Sequence, residues 1–396
     1  MKKLWQSEMR RMKVLLIDHE SVLGGAEKSM VSLVKYMNKE SVEYGCAIAG
    51  KGEFYDALSG LGIKDIYLLR MDGWRWWETG ILNRIKLIIS IPLQIRNILL
   101  WMKMYKIFKP DIIHFNLTRL VEPVIAANLS RIISIMHFRE YVESNARFLG
   151  GIKLHFALMR LVDYWIANSA FTFRSIEKDA RKIPLEIINN GIETNEFENN
   201  NTIVRQYHSE KFKFVVAKLA TLVPWKNHQA YFQIAKKICA KRNDFLFLVA
   251  GKGSNEFTIQ LKELVKKLGI EDNVQFVGFV DDNAQLLQQI DFLVHTSQNE
   301  SFGRIYIEAM AANTPVIALS GGAADDLIIH NETGYVFKES DLESMADKII
   351  ELAEDQTIGR HISKKAQFYV NQHFSINIHC EKILNVYKKL VTNKNS

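Results

Sequence analysis

Cysteine, proline and compositionally biased sequence are all scarce in this chain of 396 residues. Its three cysteines, Cys46, Cys239 and Cys380, stand far apart, are odd in number and form no C-x-x-C pair. That pattern excludes a disulfide framework or a zinc site and points to free thiols in a reducing compartment. Six prolines and no low-complexity tract exclude a long disordered region. No Asp-x-Asp metal motif and no internal repeat of short period occur. Residues 1–11 carry charge but lead into no long apolar core followed by small residues, so no signal peptide is expected. A cytoplasmic protein is the expectation.

The composition, 48% hydrophobic and 24% charged, is that of an ordinary globular protein, and the length suits two domains rather than one core. The net charge of +7 is unevenly placed. Residues 1–200 hold 28 Lys and Arg against 22 Asp and Glu, whereas residues 201–396 hold 23 against 22. A basic first half suits an anionic membrane surface or a phosphorylated substrate. A dense Lys/Arg stripe and a nucleic-acid fold signature are both missing, so nucleic acid is not an expected partner.

Residues 81–108 are apolar but interrupted by Arg84, Lys86, Arg96, Lys103 and Lys106. No window of about 20 uncharged apolar residues survives, so the segment is not expected to span a bilayer. Trp74, Arg75, Trp76 and Trp77 precede it. Two readings stay open: tryptophans beside a basic amphipathic helix suit the inner face of the cytoplasmic membrane, or residues 94–108 form a helix packed on a sheet.

Short runs rich in Val, Ile and Phe alternate with longer amphipathic segments, the pattern of parallel α/β units. Strands are expected at 14–18, 44–49, 66–69, 111–115, 131–137 and 164–168 in the first half. In the second half they are expected at 212–218, 245–250, 274–277, 292–295 and 316–319. Residues 257–268 and 344–352 read as helices between them. A polar stretch at 191–210 with three adjacent asparagines marks the boundary. The expected organisation is a first domain 1–195, a linker 196–210, a second domain 211–375 and a helix 376–396 returning to the first domain.

The chemistry concentrates in Glu300-Ser-Phe-Gly-Arg-Ile-Tyr-Ile-Glu308. It follows a strand and opens a helix, so the N–H groups of Ser301, Phe302 and Gly303 are free to meet a phosphate at the positive end of the helix dipole. Gly303 permits close backbone approach. Glu308, two helical turns on, lies roughly 12 Å along the axis from Glu300. For either glutamate alone, a solvated helix residue is the simpler reading.

Taken together, the motifs resemble those of glycosyltransferase family 4. Gly24-Gly25-Ala26-Glu27 resembles the family's N-terminal glycine loop, and Pro110-Asp111-Ile-Ile-His114 with His137 its first-domain pattern. Asn190-Gly191-Ile192-Glu193 resembles its hinge, and Val249-Ala-Gly251-Lys-Gly253 with Asn273-Val-Gln-Phe-Val-Gly278 its donor domain. The E-x7-E pair, Pro315-Val-Ile-Ala, Gly321-Gly322 and Thr333-Gly334 complete a match running over nearly the whole chain. The resemblance implies a GT-B fold: two Rossmann-like, doubly wound α/β domains, a cleft between them and a C-terminal crossover helix.

It also implies roles. Glu300 would bond hydroxyls of the donor sugar and Glu308 the ribose. Lys226 would hold the diphosphate and stabilise the leaving group. Gly24 and Gly25 would contact donor phosphate or acceptor, and His137 would polarise a sugar hydroxyl. Thr221, Gly251, Ser301, Phe302, Gly303 and Arg304 complete the implied donor site. The activity implied is metal-independent transfer, with retention, of a hexose or N-acetylhexosamine from a nucleotide diphosphate sugar, UDP by family frequency. The implied acceptor is a lipid-linked glycan of a bacterial capsule, O-antigen or exopolysaccharide, and no cofactor is implied.

Two departures stand out. The family's Gly-Arg-Leu triplet is Ala220-Thr221-Leu222 here, which leaves Lys218 and Arg304 as candidates for a second cation. Asp325-Asp326, one residue late, stands where a Glu usually follows the Gly-Gly pair. Rival readings are a non-catalytic sugar-nucleotide-binding protein and a GT-B epimerase or phosphorylase. A dinucleotide oxidoreductase fails on its fingerprint, because Glu256 occupies the position of the third glycine.

Overall fold

The structure is a computed structural model that describes residues 10–69, 81–118, 120–142, 151–197 and 205–395. Trp74, Trp76 and Trp77, on which the interfacial reading leaned, lie outside the described residues. The chain divides into two compact units, 1–191 with 376–396, and 192–375.

In chain order the first unit begins β1 (Met12–Ile17), α1 (Gly25–Tyr36), β2 (Val42–Ile48), α2 (Glu53–Gly60), β3 (Ile66–Leu68) and α3 (Ile81–Phe108). It continues with β4 (Ile112–Phe115), α4 (Val121–Leu129), β5 (Ile133–Phe138), α5 (Gly151–Met159), β6 (Tyr164–Ala167), α6 (Ala170–Ala180) and β7 (Leu185–Ile187). The second unit holds β8 (Phe214–Leu219), α7 (His228–Cys239), β9 (Phe245–Ala250), α8 (Asn255–Leu268), β10 (Val274–Gly278) and α9 (Asn283–Gln289). After these come β11 (Phe292–His295), α10 (Arg304–Ala311), β12 (Val316–Leu319), α11 (Ala324–Leu327), β13 (Tyr335–Phe337), α12 (Leu342–Glu354) and α13 (Gln356–His373). A last helix, α14 (Ile376–Asn395), belongs to the first unit.

Both sheets are parallel and doubly wound. The strand orders are β3-β2-β1-β4-β5-β6-β7 and β10-β9-β8-β11-β12-β13. A parallel strand covered on both faces must be apolar along its whole length, which is why Phe-Leu-Phe-Leu-Val-Ala of β9 is entirely buried. In each sheet the winding reverses once, between β1 and β4 and between β8 and β11. Side chains and helix N-termini converge at the carboxyl ends of strands beside such a reversal, the usual ligand position of this architecture.

The expected pair of doubly wound α/β units is therefore present, with corrections in detail. β7 and β13, three residues each, lie at sheet edges and were not expected from the pattern. The helix expected at 94–108 starts at Ile81 and carries Pro92 inside it. Helix α10 starts only at Arg304, so Glu300 lies in the preceding loop and the helical spacing estimated between Glu300 and Glu308 does not apply.

In the first unit one sheet face packs under α3, α4 and α5 through Trp101, Tyr105, Phe108, Val124, Phe156 and Trp165. The other is covered by α1, α2 and α14 through Met30, Leu33, Phe54, Leu58, Ile383 and Tyr387. Each such side chain contributes roughly 1.5–3 kcal/mol on burial. All three cysteines are free thiols. Among the described residues no helix is long and apolar enough to cross a membrane.

Helix α14 is fixed to the sheet by polar contacts as well as packing: Tyr387 Oη lies 2.7 Å from His114 Nδ1, and His379 Nδ1 lies 2.7 Å from the Asn189 carbonyl. Tyr387→Phe leaves a buried ring nitrogen without its partner, which costs about 1–3 kcal/mol. The expected result is a lower melting temperature by several degrees, read by calorimetry; an unchanged melting temperature would show that the bond adds nothing to the docking of α14.

Candidate active site

The site assembles where the second sheet reverses. Beyond β8 the chain runs through Thr221 and a single 3-10 turn, Pro224–Lys226, into Asn227. Asn227 adopts a left-handed conformation (φ 48°) and its side chain caps α7, accepting from Ala230 N at 3.2 Å. This turn projects Lys226 toward the loop that follows β11. There Lys226 Nζ donates to Glu300 Oε2 at 2.6 Å, with side chains 21% and 17% exposed. His295 Nε2, from the end of β11, lies 3.5 Å from the same carboxylate oxygen.

The Glu300 loop is strapped to the segment after β12 by two backbone bonds, Asn299 N to Gly321 O (2.9 Å) and Ala323 N to Glu300 O (2.8 Å). Gly303 caps α10 at φ 70°, and a Cβ there would lie 2.4 Å from the Tyr306 ring. Only glycine meets both demands. Phe302 is buried and packs edge-on to Phe374, so only its backbone is left to serve a ligand at the start of α10.

Glu308 is buried in the second turn of α10, where it accepts from Asn283 Nδ2 (3.1 Å) and Arg304 Nε (3.2 Å). Arg304 is thus engaged with Glu308. Lys218, the other candidate for a second cation, is completely buried on β8 and donates to Thr296 Oγ1 at 2.8 Å. Gly251 has a backbone role. With φ 154°, it packs so tightly against the Lys226 loop that a Cβ would fall 1.9 Å from Ala220 O. Thr221 is exposed at the start of that loop.

Electrostatics single out this cluster. Burial pushes the Glu300 carboxyl up, but the His295 hydrogen bond and the Lys226 charge outweigh it and hold the group at about 2. Burial, with Lys218 close by, lowers His295 to about 4 and His228 to about 3. Burial and the charge of Lys226 together push Lys218 well below the usual lysine range.

The first unit holds a different arrangement at its own reversal. Asn116 Nδ2 donates to Asp18 Oδ2 at 2.5 Å, Arg139 Nε donates to Asn116 Oδ1 at 2.5 Å, and Arg139 Nη1 donates to Asn190 Oδ1. Burial and then Glu27 raise Asp18 to about 8. Glu27, also buried, folds back onto the N-terminus of α1, where a Cβ on Gly24 would lie 2.7 Å from its carboxylate oxygen, and burial raises its carboxyl. A carboxylate therefore already sits at the Gly24-Gly25 turn. His137 lies inside this unit, fully buried near the end of β5, with Nδ1 3.1 Å from His114 Nε2.

The structure thus brings Glu300, Lys226, Ser301, Phe302, Gly303, Arg304 and Glu308 to one end of one sheet, and places Gly24, Gly25 and His137 in the other unit. The Asp18–Asn116–Arg139–Asn190 chain was missed in the sequence. Its signal was available, since Asp18, Asn116 and Arg139 each directly follow a buried apolar strand.

Residues 199–368 match the family model for Glycosyl transferases group 1, so the second unit carries a domain of that group. The chain is 35% identical over 162 residues to an N-acetyl-alpha-D-glucosaminyl L-malate synthase of Bacillus anthracis, spanning 41% of this chain and 40% of that protein. It is 28% identical over 200 residues to the capsular polysaccharide biosynthesis glycosyltransferase CapM of Staphylococcus aureus, spanning 50% and 52%. The chain thus spans about half the length, or less, of these curated relatives. A structure of Anabaena HepE in complex with UDP and glucose superposes with a TM-score of 0.79 at 21% identity, over 96% of this chain and 100% of that one, which shows a shared fold.

The His295 shift has a measurable consequence. A histidine held at about 4, against 6.5 when unfolded, stays neutral in the fold while the unfolded chain takes up the proton. Its contribution to stability is therefore lost as pH falls from 6.5 toward 4, by up to about 1.4 kcal/mol per pH unit. Asp18, raised to about 8, acts with the opposite sign over the range from 8 down to its unfolded value. A difference measurement removes it. In urea unfolding at pH 6.5, 5.5 and 4.5, His295→Gln should gain on the wild type as pH falls; parallel stabilities would contradict the buried neutral ring.

Proposed function

We propose that this chain is a retaining glycosyltransferase that moves a hexose or N-acetylhexosamine from a UDP-sugar to an acceptor hydroxyl. The observation that carries the reading is the Lys226–Glu300 pair at the reversal of the second sheet, with Glu300 in the loop that leads into α10, whose second turn carries Glu308. A lysine bound to a carboxylate that also takes the His295 ring is positioned to exchange partners. The ammonium passes to the donor diphosphate and the carboxylate to sugar hydroxyls. The group 1 domain match and the UDP complex of HepE support the same assignment.

In this reading residues 211–375 bind the donor. Glu308 takes the ribose hydroxyls, the N–H groups of Ser301, Phe302 and Gly303 take phosphate oxygens, and Thr221, Gly251 and Arg304 shape the surrounding loops. Residues 1–195, with the helix 376–396, bind the acceptor, and Gly24, Gly25 and His137 serve that side. Transfer breaks the bond between C1 and the phosphate oxygen and forms the bond from C1 to the acceptor oxygen on the same face. The acceptor proton passes to the departing phosphate, and Lys226 stabilises the charge that develops there. No resident metal ion is invoked. The acceptor is proposed to be a lipid-linked glycan of a bacterial surface polysaccharide, in line with the names of CapM and of a lipopolysaccharide core mannosyltransferase of Rhizobium meliloti that is 26% identical over 242 residues.

Such an acceptor places the protein at the inner face of the cytoplasmic membrane, and α3 supports that position. Its Ile91, Leu93, Ile95, Leu99 and Leu100 are exposed although apolar, and Arg96, Lys103 and Lys106 lie among them. Exposed apolar side chains interspersed with basic ones suit an anionic interface.

Two experiments test these assignments. Glu300→Gln should cut turnover at least a hundredfold with little change in melting temperature, and Lys226→Ala should weaken UDP binding by roughly 1.5–3 kcal/mol through loss of a charge-assisted bond. Near-normal transfer by the first variant, or unchanged calorimetric affinity of the second, would remove the donor reading. For the membrane, vesicle sedimentation should rise with anionic lipid and fall with salt, at about 1 kcal/mol per basic residue engaged. Ile95→Ser with Leu99→Ser should loosen that binding without lowering the melting temperature; a wild type indifferent to anionic vesicles would contradict the surface assignment.

A further inference from the structure

The second unit gathers more basic groups at its reversal than it has carboxylates to match them. Lys218 reaches the inner end of the cluster from β8, 0% exposed, and its partner there is the Thr296 hydroxyl. Thr296 in turn donates to the Asn227 carbonyl at 2.7 Å, at the base of the loop that carries Lys226. The groups that face Lys218 electrostatically are Lys226 from that loop, His228 from α7, His295 from β11 and Glu300. Glu300, the one carboxylate among them, is already taken by Lys226 and His295. Burying an ammonium without an anion of its own is strongly unfavourable, so burial opposes the charged form of this amine in the free protein.

His228 supplies a second, independent sign of a missing ligand. It is 1% exposed at the first position of α7, and neither ring nitrogen has a hydrogen-bond partner among the described residues. A buried imidazole with both nitrogens unmet, at the start of α7 directly after the Lys226 turn, offers polar atoms that the fold itself does not use.

Resting on the donor reading above, we propose that Lys218 is a buried reserve charge for the nucleoside diphosphate, taking up a proton when the diphosphate binds at Lys226. A dianion within about 8 Å at an effective dielectric between 20 and 40 raises the proton affinity of the amine by roughly one to three powers of ten. The charge then opposes that of the departing diphosphate without touching it. Lys218 is a positioning residue in this sense, acting through the field and through the Thr296–Asn227 link to the Lys226 turn.

The test is calorimetry with UDP and with uridine as probes, in buffers of different ionisation heat between pH 7.5 and 9. The wild type should take up close to one proton per UDP and none per uridine, and its UDP affinity should fall up to tenfold for each pH unit raised. Any proton held by the phosphate itself would be released, so the sign of the exchange separates the two sources. Lys218→Met should lose the uptake, bind UDP at least tenfold more weakly at pH 7.5 with no pH dependence, and melt no lower than the wild type. UDP binding by the wild type without uptake, or uptake that survives in Lys218→Met, would overturn the assignment. If the variant does not fold, the wild-type exchange alone decides. A wild type that binds none of UDP, GDP or ADP removes the donor reading and this inference with it.

Discussion

One carboxylate, Glu300, is shared by the Lys226 ammonium and the His295 ring, and the geometry of the second unit's reversal is organised around that sharing. Both contributing loops are held by backbone constraints: Asn227 and Gly303 in left-handed conformations, and Gly251 pressed against Ala220. Beneath the pair, burial opposes the charged forms of His295, His228 and Lys218. Perturbed ionisable groups gathered at strand ends in this way mark a candidate site.

The two units handle the same topological feature in opposite ways. In the first, Asp18, Asn116, Arg139 and Asn190 close on one another across the ends of the sheet, and Glu27 fills the N-terminus of α1. In the second, Lys218 and Lys226 face a single carboxylate, and the N-terminus of α10 has no side-chain cap. A polyanionic donor is thus better matched to the second unit, whereas hydroxyl-rich groups suit the polar chain of the first.

Much of the fold was legible because parallel strands are apolar on both faces. β9, β11 and β12 read correctly to the residue, since each is a short, mainly apolar run bounded by polar, glycine or proline positions. β7 and β13 were not, because three-residue edge strands carry no period to read. The E-x7-E spacing identified both glutamates as a pair, but not that Glu300 precedes the helix, which the left-handed Gly303 decides. His137 was legible as a residue type, whereas its complete burial against His114 depends on β4 and β5 being neighbours. Asp18 and Asn116 are 98 residues apart and meet only because β1 pairs with β4. Pairings of that kind are set by topology, which local pattern does not encode.

The central claim is that the Lys226–Glu300 bond holds a place for the donor. The most direct measurement is a crystal structure of the protein with UDP bound. The account predicts Lys226 Nζ within about 3 Å of a phosphate oxygen, a length usual for charge-assisted bonds, and Glu300 released toward the space a sugar would fill. A nucleotide bound elsewhere, with the 2.6 Å contact between Lys226 and Glu300 intact, would contradict it.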